Sequence, residues 1–249
     1  MSTPPVIGKA TWRDDARVLL QFLHGRRSGA DHGANLDAFY GPQADVYDRF
    51  RERLLHGRAD LMQAMDFRAG QRVIDFGAGT GRHWLFVEPK LPQLARVDLV
   101  DLCTPLLDVA RTRFAGHPNV CTVRADAQVW TADEPADAAI FSYSLSMIPD
   151  WRAALANAVG QLRPGGLIGI VDFYTLPDPP PGPFKPLSKW NRAFWPHWFS
   201  HDGVMLRPQV PAALLEVGAT VRLEQGLARL PYLPLVRAPW FFWIGRRPA

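Results

Sequence analysis

The chain has 249 residues, 47% of them hydrophobic and 21% charged, with 28 Lys plus Arg against 24 Asp plus Glu. That length suits one α/β domain with an elaboration, and the composition excludes disordered, collagen-like and coiled-coil classes. The two cysteines, Cys103 and Cys121, exclude a disulfide framework, and neither has a second ligand at metal spacing, so no metal is expected.

In chain order, residues 1–70 read as an N-terminal helical cover. Val46, Phe50 and Leu54 fall at i, i+4 and i+8, and Leu61, Met62 and Met65 extend an apolar face beyond Gly57. Residues 71–175 then alternate β-rich runs (RVIDF, ARVDLVDL, NVCTVRAD, DAAIFSYS, LIGIVDF) with helical stretches. Such alternation predicts a parallel sheet built from βα units. Thr104-Pro105 predicts a capped helix start, Asp150 another, and Pro164-Gly165-Gly166 the end of the second helix. Residues 176–203 break this rhythm with six prolines between Pro177 and Pro186, which no interior helix or strand accommodates. This stretch is expected to be an inserted Pro/Trp-rich lid. Residues 204–249 return to strand-like runs, TVRLEQ and WFFWIG, expected to complete the sheet's edge.

The most informative stretch is Val73-Ile74-Asp75-Phe76-Gly77-Ala78-Gly79-Thr80-Gly81, a buried strand running into a glycine-rich turn and then a helix. Glycine permits the tight turn and lets a ligand approach without a Cβ in the way. In a doubly wound sheet the turn lies at the carboxyl ends of the strands, where ligands bind. The dinucleotide pattern G-x-G-x-x-G fails because Arg82 occupies the sixth position, and no Gly-Lys-Ser/Thr follows to make a P-loop.

A G-x-G-x-G turn behind an acid resembles the class I S-adenosylmethionine-dependent methyltransferases. The resemblance implies a Rossmann-like, mostly parallel sheet with an antiparallel C-terminal edge, and S-adenosylmethionine as cofactor. It places Asp101 and Leu102, at the end of the second strand, against the ribose, where a carboxylate can accept two vicinal hydroxyls. It places Asp126 and Ala127, after the third strand, near the adenine. Asp75, Gly77, Ala78, Gly79, Thr80, Gly81 and Ser142 complete the implied cofactor contacts.

More specific runs lie outside this core. Phe39-Tyr40-Gly41-Pro42-Gln43-Ala44-Asp45-Val46-Tyr47-Asp48 with Arg51, Ser142-Tyr143-Ser144-Leu145-Ser146-Met147-Ile148-Pro149-Asp150-Trp151, and Leu230-Pro231-Tyr232-Leu233-Pro234-Leu235 resemble the methyltransferases of betaine lipid synthesis. That family trimethylates the amine of diacylglyceryl-homoserine. The resemblance covers about residues 30–247. It implies that Tyr47 contacts the cofactor, that Arg51 lies near its carboxylate, and that Tyr143 stands at the methyl end. It also implies a functional partner, a 3-amino-3-carboxypropyl transferase, because eukaryotic relatives carry that activity as a fused domain.

Methyl transfer to an amine is an in-line displacement needing alignment and an unprotonated nitrogen, and orientation alone supplies on the order of 7–11 kcal/mol. Aromatic faces attract the sulfonium and the growing quaternary ammonium by roughly 0.5–2 kcal/mol each. Proton acceptors compatible with the sequence are His83, Asp150, Asp172 and His201; deprotonation in bulk water is equally compatible.

Charge is unevenly spread. Residues 176–249 hold nine Lys/Arg against four acids and eleven of the 28 aromatics, six of them from Phe184 to Phe199. Packed cover and anionic surface are both consistent with this composition. With a lipid acceptor, the expectation is a cytoplasmic protein peripherally associated with a membrane, with Tyr40, Trp190, Trp195, Trp198 and His201 touching acceptor or lipid. No window approaches the roughly 18 apolar residues of a spanning helix, and the first 20 residues lack a signal peptide's apolar stretch. Alternatives are a phosphatidylethanolamine or small-amine N-methyltransferase and a non-catalytic binding module on a degenerate methyltransferase fold. Nucleic acid is not an expected partner, because Ser-Tyr-Ser-Leu-Ser stands where nucleic-acid enzymes carry Asn/Asp-Pro-Pro-Tyr/Phe.

Overall fold

The computed structural model describes residues 54–248 except 202, 231 and 232, and the side chains of 233–235 are likewise outside the description. The expected roles of Tyr40, Tyr47 and Arg51 therefore lie outside the described residues.

Seven strands form one sheet: β1 Arg72–Phe76, β2 Arg96–Asp101, β3 Val120–Arg124, β4 Ala136–Ser142, β5 Leu162–Phe173, β6 Ala219–Leu230 and β7 Leu233–Arg246. Their order is β3-β2-β1-β4-β5-β7-β6. The first five pair in parallel, while β7 pairs antiparallel with β5 and with β6. Every β-rich run named from the sequence is a strand, and the tail closes the edge as expected.

Successive strand residues face opposite sides of a sheet, and the core divides accordingly. Val73, Ala138, Ile140, Val171 and Phe173 face one cluster, whereas Ile74, Ala139, Phe141, Ile168 and Ile170 face the other. Both faces are apolar because both are covered. On the first lie α1 Arg58–Ala64, a 3-10 helix Arg82–Gln93, α2 Thr104–Arg113 and α4 Lys189–Ser200; on the second lie α3 Trp151–Gln161 and α5 Val210–Val217.

Local differences from the sequence reading have local causes. The segment after the glycine turn is 3-10 rather than α-helical, with a break at Val87, and Pro89 and Pro92 lie inside it, each removing a backbone donor. The cap of α2 is Cys103, one residue before Thr104. Asp150 caps α3, its Oδ1 accepting the Ala153 N–H at 3.0 Å. That helix ends at Gln161, before the Pro164-Gly165-Gly166 expected to end it, because Leu162 already pairs with Ala136 in the sheet.

The topology fixes where chemistry can occur. The chain leaves β1 toward β2 on one side, and β4 lies on its other side, so a crevice opens at their carboxyl ends.

Candidate functional site

The glycine turn leaves β1 directly into that crevice. Gly77, Gly79 and Gly81 have φ of 71°, 55° and 63°, the left-handed region that other residues enter at a cost. A Cβ at Gly77 would also stand 2.3 Å from the Ser144 Cβ. The turn is tied to β2, since the Gly77 and Ala78 amides both donate to the Val100 carbonyl, at 2.8 and 3.1 Å.

Asp101, the last residue of β2, reaches across to the turn. Its Oδ2 accepts the Gly79 N–H and its Oδ1 the Cys103 N–H, each at 2.8 Å. Asp126 is held similarly after β3, accepting the Gln128 N–H at 2.9 Å and the Gln128 side-chain amide at 3.0 Å.

Asp75 does not behave as the resemblance implies. Its side chain is fully buried and does not line the pocket. Instead, Oδ2 meets His83 Nε2 at 2.7 Å and accepts the Trp84 Nε1–H at 2.9 Å, whereas Oδ1 has no hydrogen-bond partner. The acid braces the helix that follows the turn from beneath. Position in the strand explains this: Asp75 precedes Gly77 by two residues and points into the protein, while the glycines beyond it bend toward the crevice.

Beyond β4, the backbone at Tyr143 has φ 55°, strained for a side chain of that size. Its hydroxyl donates to the His56 carbonyl at 2.7 Å, and its ring meets Phe173 edge-on at 4.8 Å. Ser144 Oγ donates to the Phe76 carbonyl at 2.6 Å. Thus β4's exit is fastened to β1, to β5 and to the segment before α1.

These groups surround a pocket of about 900 Å³, its open mouth included. Gly77, Ala78, Gly79 and Thr80 form one wall; Asp101, Leu102, Asp126 and Ala127 form another; Ser142, Tyr143 and His83 complete the ring. The structure brings together all of these expected residues. Gly81 lies outside, turned toward Phe114. Ser142 Oγ is buried without a hydrogen-bond partner, an orphan acceptor and donor that a bound ligand would satisfy.

Of the expected proton acceptors, only His83 lines the pocket. Asp150 is spent on its cap, Asp172 is buried behind the β4 exit, and His201 is exposed with Nδ1 donating to the His197 carbonyl at 2.8 Å. Sequence reasoning missed Arg58 and Arg82, both buried and both lining the pocket. Arg82 was legible only as the residue that breaks the dinucleotide pattern. Two acids and two guanidinium groups give the pocket charges of both signs, complementary to a zwitterion.

The insert departs from expectation. No described residue of 176–203 lines the pocket. Trp195, expected at the acceptor, is 1% exposed, with its Nε1–H donated to Asn191 and its ring 5.4 Å from Phe199. Phe199 stacks at 4.5 Å on Phe173, which in turn meets Tyr143. The insert therefore backs the pocket one layer out. On the adjoining face of α4, Trp190 stacks on Phe194 at 4.9 Å and Phe194 meets Trp198 at 5.5 Å and Trp195 at 5.0 Å. Trp190 is 65% exposed and Trp198 40%. The i, i+4, i+8 spacing separates this ridge from the buried pair Trp195 and Phe199.

Residues 73–166 match a family model described as a methyltransferase domain. The chain is 31% identical over 150 residues to the demethylmenaquinone methyltransferase of Clavibacter sepedonicus, a match covering 58% of this chain and 60% of that relative's length. Its structure is similar to N-methyltransferase NodS from Bradyrhizobium japonicum in complex with S-adenosyl-L-homocysteine (TM-score 0.54, 17% identity, 82% of this chain and 88% of that one). It is also similar to Haemonchus contortus phosphoethanolamine N-methyltransferase 2 in complex with S-adenosyl-L-methionine (TM-score 0.62, 16% identity, 86% of this chain and 60% of that one). At these identities the structural likeness is one of fold.

Proposed function

We infer the function from one premise: residues 73–166 are a methyltransferase domain of the class I S-adenosylmethionine-dependent family. The proposed activity is N-methylation of the amine of diacylglyceryl-homoserine, giving the trimethylated betaine lipid. The observation that carries the methyl-transfer part is the convergence of Gly79, Asp101, Asp126, Ser142 and Tyr143 on a single pocket.

The residues fit the cofactor. Asp101, oriented by two amides, would take the ribose hydroxyls, and Asp126 and Ala127 would hold the adenine end. The glycine turn leaves space where a side chain would intrude. Arg58 and Arg82 would face the methionine carboxylate, and the orphan Ser142 hydroxyl would find a partner. When bound, S-adenosylmethionine supplies an electrophilic methyl group on a sulfonium. Tyr143, anchored through its hydroxyl, would present its aromatic ring toward that positive charge, an attraction of roughly 0.5–2 kcal/mol. Low exposure of the pocket floor would exclude water and favour attack by the amine.

The acceptor is proposed from the runs 39–48, 142–151 and 230–235, which resemble betaine lipid methyltransferases. A diacyl substrate requires contact with a bilayer surface. The exposed Trp190 and Trp198, with half-buried Phe194 between them and exposed Lys185 and Lys189 nearby in the chain, suit that contact. A 3-amino-3-carboxypropyl transferase would supply the homoserine lipid. No helix among the described residues is long and apolar enough to cross a membrane.

The test is direct. Purified protein with methyl-labelled S-adenosylmethionine should label diacylglyceryl-homoserine in mixed vesicles and leave phosphatidylethanolamine unlabelled. Labelling of phosphatidylethanolamine alone would transfer the activity to the other acceptor class.

A further inference from the structure

We propose that Asp172 and Arg207, neither of which lines the pocket, are positioning residues that set its wall from Met147 to Pro149 by clamping Ser146 from two sides. The inference rests on the methyltransferase reading of the pocket.

The loop leaving β4 supplies Met147, Ile148 and Pro149 to the pocket, yet its only regular structure is a three-residue 3-10 turn, Leu145–Met147. So short a turn has few hydrogen bonds of its own, and its shape depends on what holds it. Ser146 is the point of attachment. Its N–H donates to Asp172 Oδ2 at 2.9 Å and its hydroxyl to Asp172 Oδ1 at 2.8 Å. Asp172 sits near the end of β5, 4% exposed, and also accepts the Phe173 N–H at 2.8 Å. Those donors offset the cost of burying a carboxylate.

The other side of Ser146 is held from beyond the insert. Its carbonyl accepts the Met205 N–H at 2.9 Å and a longer contact, 3.5 Å, from Arg207 Nη1. Arg207 Nη2 donates to the Pro149 carbonyl at 3.1 Å, so one guanidinium spans both ends of the pocket-lining segment. Partial burial lowers the Arg207 pKa, opposed by the charges of Asp172 and Asp150. The guanidinium fork suits this bridge; an ammonium makes no such fixed pair of bonds.

The segment that carries Met205 and Arg207 follows α4, and the Val204 N–H donates to the Phe199 carbonyl at 3.1 Å. The clamp therefore links the insert to the pocket wall, beside the aromatic contact of Phe199, Phe173 and Tyr143. Side chains outside the pocket thereby govern its shape.

S-adenosylhomocysteine binding, followed by calorimetry on Asp172→Asn, Ser146→Ala and Arg207→Met, tests the clamp, with thermal melting showing each variant folded at the assay temperature. Asp172→Asn sets an N–H₂ against a Ser146 donor, and Arg207→Met removes the bridge at similar length. Asp172→Asn should weaken binding by about tenfold or more, the loss expected of a mismatched buried pair, and Arg207→Met, which removes partly exposed hydrogen bonds, by about severalfold. Where Asp172→Asn fails to fold, Ser146→Ala, which removes one donor and leaves the carboxylate its amides, should still weaken binding severalfold. Folded variants that bind as tightly as the wild-type chain would overturn the clamp while leaving the pocket assignment standing. A wild-type chain that binds no S-adenosylhomocysteine would overturn both.

Discussion

Asp101 accepts the Gly79 N–H at 2.8 Å, so the acid that ends β2 holds the tip of the glycine turn that leaves β1. Cofactor recognition and turn geometry thus depend on one carboxylate. Asp101→Asn replaces an acceptor oxygen with an amide donor that must face either Gly79 or Cys103. We expect S-adenosylhomocysteine affinity to fall by about 10–100-fold, equivalent to roughly 1.4–2.8 kcal/mol. Isothermal calorimetry measures it.

Asp75 supports the same turn from below, through His83 and Trp84. Asp75→Ala would leave two buried ring N–H groups without an acceptor, each costing about 1–3 kcal/mol. The expected outcome is a clear drop in melting temperature. Were Asp75 chiefly a ligand contact, its loss would weaken cofactor binding and leave the melting temperature close to that of the wild type.

Much of this was legible in the sequence because its signals are local. Strands β1 to β5 show as apolar runs since both sheet faces are buried, and the glycines show because their φ values demand them. Asp101 ends β2 and Asp126 follows β3, both at the crevice, so chain position alone places them. Three features were not legible. Asp75 and Asp101 are both acids at strand ends, and only the direction of the side chain separates a brace from a ligand. Arg58 and Arg82 reach the pocket through tertiary packing that no spacing encodes. Trp195 and Trp198 are three residues apart on α4, only about 60° apart around its axis, yet that small difference in phase decides which is core and which is surface.

That phase separates two outcomes in the insert. Trp195→Ala should destabilise the protein by about 3–5 kcal/mol, as large aromatic truncations in a core do. Trp190→Ala and Trp198→Ala should change stability by no more than about 0.5 kcal/mol, as surface substitutions do. The same two changes should reduce co-sedimentation with anionic vesicles. Full retention of vesicle binding in the Trp190→Ala, Trp198→Ala double variant would remove the ridge from the lipid-contact account.

Burial raises the Tyr174 phenol above its ordinary pKa, against the opposing effect of the Gln225 amide that donates to its oxygen at 2.6 Å. The folded chain then holds this proton more tightly than the unfolded one. Its contribution to stability is complete below about pH 10, the ordinary tyrosine value, and is lost as pH rises through the folded pKa. Tyr174→Phe should therefore flatten the alkaline decline in melting temperature. At neutral pH it should cost about 1 kcal/mol for the lost hydrogen bond.

The central claim is methylation of a homoserine lipid, and lipid mass spectrometry on cells expressing this chain tests it most directly. The comparison is expression with and without a 3-amino-3-carboxypropyl transferase. The trimethylated homoserine lipid should appear only when both proteins are present. Accumulation of the unmethylated homoserine lipid in cells containing both folded proteins would contradict the account.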